Sequence, residues 1–206
     1  MVVRDGERTR ELIVAAAEDL FAAEGFDRTS MQQIGEAAGV ARSTPAYFFR
    51  SKDALYEAVL ARAVARADEA ITRAYVADDG HRSPEEAIES YVSALIDFLA
   101  SDPTFVRLIQ RESLGDGHRV AEFLGRLADH AVAVFTPAAE RAGLSPQRLV
   151  LDLVALCWYP LAHEYTLLPA LGMKPREPGF LDEQKRHLAN VVRAMTLDYG
   201  KREPKT

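Results

Sequence analysis

The sequence predicts an all-α fold of about nine helices, and three observations support this prediction. Apolar residues recur at helical spacing along most of the chain, which has 206 residues. Glycine and proline are few, 12 and 10 residues, and most of them separate these segments. An N-cap residue stands directly before proline at Ser83-Pro84, Asp102-Pro103 and Ser145-Pro146, which is the usual order at the start of a helix. No segment shows the alternation that is typical of a strand.

Each predicted helix is bounded by a capping residue, a glycine or a polar loop. Gly25 ends the first helix, Gly39 ends the second, and Ser30 and Ser51 are N-caps. We expect Pro137 to kink or split its helix. In chain order the helices are predicted at residues 9–24, 31–38, 41–48, 52–75, 84–101, 103–113, 118–142, 146–161 and 181–199, with loops at 77–83 and 169–179.

Composition excludes several classes of protein. The formal net charge is −6, which argues against a protein that coats nucleic acid by bulk charge. The single cysteine cannot form an intramolecular disulfide or a cysteine-rich zinc site. The longest uncharged apolar run, residues 153–162, is about half of what a membrane-spanning helix needs. Because no secretion signal opens the chain, we expect a cytoplasmic protein that does not associate with a membrane.

Residues 28–52 have the pattern of a helix-turn-helix unit. Two short predicted helices meet at Gly39, and small apolar residues, Ile34, Ala38 and Val40, are placed to lock them together. The segment contains four cations and one acid, Glu36, so its formal charge is +3 within a chain of −6. A local reversal of charge favours phosphate binding. The alternative is an all-α protein whose helix-turn-helix pattern has no role in DNA binding.

The stretch from Thr9 to Leu55 resembles the DNA-binding domain of the TetR (tetracycline-repressor) family of bacterial regulators. The matching residues are Ile13, Ala16, Ala17, Leu20, Phe21, Gly25 and Phe26, then Thr29, Ser30, Met31, Ile34, Gly35, Ala38, Gly39 and Val40, then Thr44, Tyr47, Phe48, Phe49, Ser51, Lys52 and Leu55. The resemblance implies a DNA-binding domain at residues 1–54 and a helical effector-binding and dimerisation domain at residues 55–206. It also implies a homodimeric repressor that binds a palindromic operator in double-stranded DNA and is released by a small molecule.

Candidate DNA contacts lie at the start of the second short helix and around the first one. Arg42 can bridge a guanine in the major groove, although a phosphate contact or a solvated arginine is an equal alternative. The other hydroxyl and amide side chains either contact DNA or serve as caps and exposed polar residues, and the resemblance implies phosphate contacts for Tyr47 and Lys52. The full candidate set is Thr29, Ser30, Gln32, Gln33, Arg42, Ser43, Thr44, Tyr47 and Lys52. The chain departs from the common family pattern at Pro45-Ala46, which puts the transfer of base contacts there in doubt.

The second half of the chain contains candidates for an effector pocket and a dimer interface. Aromatic residues near a few polar groups are typical of a ligand cavity, and we place Tyr91, Phe105, Trp158 and His163 in its lining. Two apolar helices could form a four-helix interface with a second copy. The candidates for that interface are Leu149, Leu153, Leu188, Val192 and Met195. For both sets the alternative is an ordinary core within one chain.

No pattern in the sequence indicates catalysis, a metal or a cofactor. His163-Glu164 begins like a zinc-protease helix, but Leu167 stands where the second histidine is needed. We therefore expect a DNA-binding regulator that is not an enzyme and holds neither a metal nor a cofactor. The competing hypothesis is a helical small-molecule-binding protein or enzyme that has lost DNA reading.

Overall fold

A computed structural model describes residues 2–76, 83–114, 117–175, 177 and 179–197. Every regular element within these residues is a helix, as the sequence predicts. In chain order the helices are α1 (Val2–Glu24), α2 (Met31–Ala37), α3 (Thr44–Phe48), α4 (Lys52–Val76), α5 (Pro84–Ser101), α6 (Pro103–Ser113), α7 (His118–Ala142), α8 (Pro146–Ala162), α9 (Leu167–Ala170) and α10 (Phe180–Leu197).

The chain divides into two compact units. The N-terminal unit comprises Met1–Ala65 and Thr104–Phe123, and the C-terminal unit comprises Arg66–Pro103 and Leu124–Thr206. The boundary predicted from the sequence lies between residues 54 and 55 instead. The difference arises because residues 104–123 pack with the N-terminal unit, which is a long-range association that no local pattern reveals.

The core of the N-terminal unit lies beneath α1, α2 and the start of α4. Ile13, Ile34 and Leu55 are completely buried, and Phe21 meets the ring of Tyr56 edge-on with 4.8 Å between ring centres. Helix α6 contributes Arg111, whose Nε donates a 2.8 Å hydrogen bond to the carbonyl of Ala22 near the end of α1. A cation thus stabilises the negative C-terminal end of α1.

Helix α5 forms the centre of the C-terminal unit and packs against α8 and α10. Its start is held by a capping box, in which Ser83 and Glu86 each accept a hydrogen bond from the other's backbone N–H. Two ion pairs join α10 to α5, Lys185 with Asp97 and Arg193 with Glu89. Apolar side chains between these helices form the core of this unit.

The structure corrects several predicted helix boundaries. Helix α7 continues through Pro137, so of the two predicted outcomes, a kink or a split, the split does not occur. Helix α1 begins at Val2, well before residue 9, because the start was predicted from the apolar periodicity, which is apparent only from Ile13 onward. The short helix α9 occupies the beginning of the loop predicted from Pro169, where Leu168 is buried. The loop predicted at 77–82 and the predicted helix end at Tyr199 lie outside the described residues.

Candidate functional site

The start of α2 is fixed by side-chain capping. Ser30 is the N-cap, and its Oγ accepts a 3.2 Å hydrogen bond from the backbone N–H of Gln33. The Gln33 side-chain oxygen accepts a 2.8 Å hydrogen bond from the Ser30 backbone N–H, which completes a capping box. The structure therefore gives both residues a defined capping role, and α2 begins in one orientation.

Thr29 is placed in the interior of the N-terminal unit. Its side chain is 1% exposed, and its hydroxyl donates a 2.8 Å hydrogen bond to the carbonyl of Gly25. A hydroxyl that is buried in this way is not free for DNA, so Thr29 is removed from the candidate contacts. It joins the end of α1 to the start of α2 instead.

The turn between α2 and α3 depends on a left-handed residue. Gly39 has φ +69°, a conformation that glycine adopts without the steric cost of a side chain. The backbone N–H groups of Gly39 and Val40 donate to the carbonyls of Glu36 and Gly35, at 3.1 and 3.0 Å. The chain therefore leaves α2 through a tight hydrogen-bonded turn, which is the geometry that a helix-turn-helix unit requires.

Helix α3 is shorter than the predicted helix at residues 41–48. It covers Thr44–Phe48, and its N-cap, Ser43, makes no side-chain capping bond. A helix capped by Ala41 would need a hydrogen bond from the N–H of residue 45, which proline lacks. The N–H of Thr44 instead donates to the Ala41 carbonyl at 2.8 Å. Residues 41–44 consequently form a turn that places Arg42 and Ser43 just before the helix.

The exposed candidates lie on α2, on this turn and on α3. Gln32, Arg42 and Ser43 are exposed, and the side chain of Tyr47 is 86% exposed, with its ring packed edge-on against Phe48. Thr44 is half-buried. The Arg42 guanidinium forms an ion pair with Glu36 in α2. Because this pair is open to solvent, its contribution to folding is small and Arg42 remains available to another anion.

Lys52 is a structural residue of the N-terminal unit. Its ammonium group donates hydrogen bonds to the carbonyls of Phe26 and Thr29, at 2.8 and 3.2 Å, and lies 4.2 Å from the centre of the Phe26 ring. In this structure the donors of Lys52 are directed to carbonyl groups between α1 and α2, whereas the family resemblance implies a phosphate contact. The sequence separation of 26 residues explains why no local pattern indicates this contact.

The four predicted pocket residues do not all belong to the same unit. Phe105 is part of the N-terminal unit and is 4% exposed, so it is a core residue there. Tyr91, Trp158 and His163 belong to the C-terminal unit. Tyr91 is 2% exposed, Trp158 and His163 are half-buried, and His163 stacks on Tyr159 with ring centres 4.3 Å apart. Phe105 is therefore removed from the predicted lining.

A polar cluster that no sequence pattern indicates lies beside Tyr91. The ring of His130 in α7 meets the Tyr91 ring edge-on, and its Nδ1 lies 3.4 Å from the Thr72 hydroxyl and 3.8 Å from the Asp68 carboxylate. Burial, followed by the nearby Asp68 charge, raises the pKa of Tyr91 well above its usual range. These residues come from three helices of the C-terminal unit, so only the tertiary structure brings them together.

The predicted dimer contacts are largely core residues of a single chain. Leu149, Leu153, Leu188 and Val192 are each at most 1% exposed, and Met195 is half-buried. The first four side chains are covered by their own unit, so they present almost no surface to a partner. A helical apolar stripe indicates burial but does not distinguish a neighbouring helix of the same chain from one of a second chain.

The other face of α8 presents apolar side chains to solvent. Leu151, Leu156 and Tyr159 are 59%, 39% and 46% exposed. A groove of about 440 Å³ lies beside this face and is lined by Leu156, Tyr159, Pro160, Met173, Phe180, Glu183, Gln184 and His187. We call Leu151, Leu156, Tyr159 and this groove the outer α8 face. Several exposed apolar side chains beside a groove are typical of a protein interface.

The described residues contain no group of three or more histidine, cysteine, aspartate or glutamate side chains that could hold a metal ion. Within the same part of the chain, no helix is long and apolar enough to cross a membrane.

Two protein-family models match this chain. The model described as "Bacterial regulatory proteins, tetR family" matches residues 13–59, which include α2 and α3. The model described as "Tetracyclin repressor-like, C-terminal domain" matches residues 84–192, which is more than half of the chain.

Curated relatives and solved structures agree with these matches. The chain is 29% identical to the transcriptional repressor NicS of Pseudomonas putida, over 82% of this chain and 84% of that protein. It is 27% identical to the transcriptional regulator RutR of Escherichia coli, over 89% of this chain and 88% of that protein. The structure of a tetR-family regulatory protein from Rhodococcus matches with a TM-score of 0.70 at 18% identity, and the match covers 91% of this chain and 96% of that one. The structure of the fatty acid degradation regulator FadR of Bacillus halodurans matches with a TM-score of 0.68 at 16% identity, and the match covers 89% of this chain and 94% of that one. The two structural matches show a shared fold.

Proposed function

Because this chain belongs to the TetR family of bacterial transcriptional regulators, we propose that it is a repressor that binds an operator in double-stranded DNA as a homodimer. A small molecule bound in the C-terminal unit releases the operator. The observation that carries this proposal is the rigid helix-turn-helix unit, whose turn at residues 41–44 presents exposed polar side chains. The proposal places the repressor in the cytoplasm, where bacterial DNA lies.

The proposed DNA contacts are the exposed side chains around α3. Arg42 is the candidate for base reading because its planar guanidinium can donate two hydrogen bonds to a guanine. Gln32, Ser43 and Tyr47 are exposed beside it in the N-terminal unit and supply further base or phosphate contacts. The +3 segment supports binding to phosphates. Ser30 and Gln33 act by fixing the start of α2, and Thr44 by beginning α3.

The proposed dimer uses the outer α8 face, with a second copy of the chain as the partner. Apolar side chains that are exposed in one chain become buried when two such faces meet, and burial of apolar surface favours association. The buried side chains of the same helix, Leu149 and Leu153, anchor this surface to the core of the C-terminal unit. A symmetric dimer presents two helix-turn-helix units, which is why the proposed operator is a palindrome.

The proposed effector site contains Tyr91 and His130. Both lie in the C-terminal unit, and Thr72 and Asp68 add a hydroxyl and a carboxylate to the same cluster. A few polar groups within an otherwise apolar interior are the typical composition of a small-molecule site. Trp158 and His163 remain candidates for its lining.

Selection of bound sites from random double-stranded DNA tests the proposed function. We expect an enriched palindrome whose half-sites are separated by a whole number of helical turns, together with a dimer in sedimentation analysis. Compounds found by a screen for thermal stabilisation should then release the selected DNA. An unenriched pool, combined with tight binding of a metabolite, would contradict the proposal and support a small-molecule-binding protein that does not read DNA.

A further inference from the structure

Gly35 lies in the interior of α2 at its point of closest approach to the turn that precedes α3. A carbon atom added as Cβ at this position would lie 3.0 Å from the Ala41 carbonyl oxygen, 3.1 Å from the Cα of Arg42 and 3.2 Å from the Cδ of Pro45. Each distance is shorter than the ordinary van der Waals contact of 3.4–4 Å. All three atoms belong to the segment 41–45, so a side chain at residue 35 would press on that segment at three points.

A glycine inside a helix normally destabilises it relative to alanine. Gly35 is buried, and its φ is not in the left-handed region, so the backbone conformation does not require glycine. The absence of a side chain has a different consequence here, because it lets residues 41–45 pack directly on α2. Pro45 is also buried and places its ring in the space that a methyl group on residue 35 would need.

We propose that Gly35 is a positioning residue for DNA specificity. Because it has no side chain, the turn at residues 41–44 lies against α2, and this packing determines the position of the Arg42 backbone. This inference rests on the proposed function and deepens it. Arg42 is the candidate for base reading, and its own Cα is one of the three atoms that pack on Gly35. A displacement of a few tenths of an ångström in that backbone is carried to a guanidinium at the end of a long side chain. Phosphate contacts tolerate such a displacement better than paired hydrogen bonds to a base do.

The variant Gly35→Ala tests this role, with Gly125→Ala as the matched control. Gly125 is a helical glycine in α7, and a Cβ at that position would meet no atom within 4 Å. Alanine has the higher helix propensity at both positions, but Gly35 is buried against residues 41–45, whereas Gly125 is exposed and free of close contacts. We expect Gly125→Ala to keep or raise the melting temperature, and Gly35→Ala to gain nothing or to melt lower while remaining folded by circular dichroism. Amide chemical shifts of residues 41–47 should change in Gly35→Ala alone.

The functional readout is the ratio of affinities for the selected site and for random DNA. We expect Gly35→Ala to lose about tenfold or more in affinity for the wild-type site, with less than about a twofold change on random DNA. A new selection with this variant should return a changed preference at one or more positions of each half-site. Equal losses on both DNAs, an unchanged site preference, or a gain in stability equal to that of Gly125→Ala would overturn the role of Gly35. Failure of the wild-type protein to select any site would contradict the proposed function itself, so the two failures are distinguishable.

Discussion

The ammonium group of Lys52 donates a 2.8 Å hydrogen bond to the carbonyl oxygen of Phe26 and lies 4.2 Å from the centre of the Phe26 ring. A charged donor held by a carbonyl and an aromatic face contributes to folding. We expect Lys52→Ala to lower the free energy of unfolding by about 1–2 kcal/mol, measured by chemical denaturation. Arg50→Ala is the control, because Arg50 is exposed, and its effect should stay within about 0.5 kcal/mol. Equal stabilities of the two variants would show that the Lys52 contacts are not structural.

Arg42 should affect DNA binding without affecting the fold. Its ion pair with Glu36 is open to solvent, so Arg42→Ala should leave the free energy of unfolding within about 0.5 kcal/mol of the wild type. We expect the affinity for the selected site to fall by about 5–150-fold and the preference at one base position to relax. Binding titrations with the selected site and with random DNA measure both effects. A uniform loss on both DNAs would assign Arg42 to a phosphate.

The Glu36→Gln variant completes this comparison. It removes the acid that competes with DNA for Arg42 and also removes one negative charge from the binding surface. We therefore expect tighter binding to both DNAs, while the base preference that depends on Arg42 is retained. Weaker binding would indicate that Glu36 orients Arg42 instead of competing for it.

The stability of the protein should decrease in alkaline solution. Burial, assisted by the hydrogen bond to Glu112, raises the pKa of Tyr56 well above its usual range, and burial also raises the pKa of Tyr91. Burial raises the pKa of the Cys157 thiol to about 12. The unfolded chain releases these protons at lower pH than the folded chain does. Between the pKa of a group in the unfolded chain and its pKa in the folded chain, the folded state therefore binds more protons. The free energy of unfolding must therefore fall as the pH rises above about 9 for Cys157 and above about 10 for the tyrosines.

Chemical denaturation at several pH values from about 8 to 11 measures this dependence. Each ionising group contributes a slope of at most about 1.4 kcal/mol per pH unit. Tyr56→Phe and Tyr91→Phe should each make the decline above pH 10 less steep, because phenylalanine has no proton to release. The decline below that pH, which Cys157 causes, should remain in both variants. A wild-type stability that does not change over this range would contradict the burial of all three groups.

The outer α8 face should be required for association. Leu156→Glu places a charge within the apolar surface, where Leu156 is 39% exposed in the single chain, and burying an unpaired charge is costly. We expect a monomer in sedimentation equilibrium, with weaker binding to a palindromic site. Leu114→Glu is the matched control, because Leu114 is 89% exposed and belongs to the N-terminal unit. A dimer that persists in Leu156→Glu would place the interface elsewhere.

The start of α3 illustrates a limit of local patterns. Apolar spacing and Gly39 correctly indicate two short helices with a turn between them, yet the predicted start at residue 41 is wrong. The missing N–H of Pro45 removes the hydrogen bond that the longer helix would need, and the turn that replaces it depends on packing against Gly35. The motif residues were therefore sufficient to identify the unit, but they did not determine the geometry that presents Arg42.

The apolar stripes of α8 and α10 illustrate another limit. Periodicity correctly marks Leu149, Leu153, Leu188 and Val192 as buried, but it does not show whether their neighbours belong to the same chain or to a partner. Hydrophobic burial is not directional, so the same stripe satisfies a helix of its own chain or of a partner. The surface proposed for dimerisation consists of exposed residues on the other face of α8. The apolar residues on that face do not form a distinct periodic pattern in the sequence.

The all-α class is evident from the sequence alone, and so are the caps that begin and end most helices and the family to which the chain belongs. These features depend on local periodicity, on capping chemistry and on fixed spacings within 47 residues, Thr9 to Leu55. Which hydroxyls and cations are exposed is evident only from the folded structure. It buries the Thr29 side chain and directs Lys52 to backbone carbonyls, while it leaves Arg42 and Tyr47 exposed. The physical reason is that a polar side chain binds whichever partner the folded chain brings within hydrogen-bonding distance, and that partner can be 26 residues away.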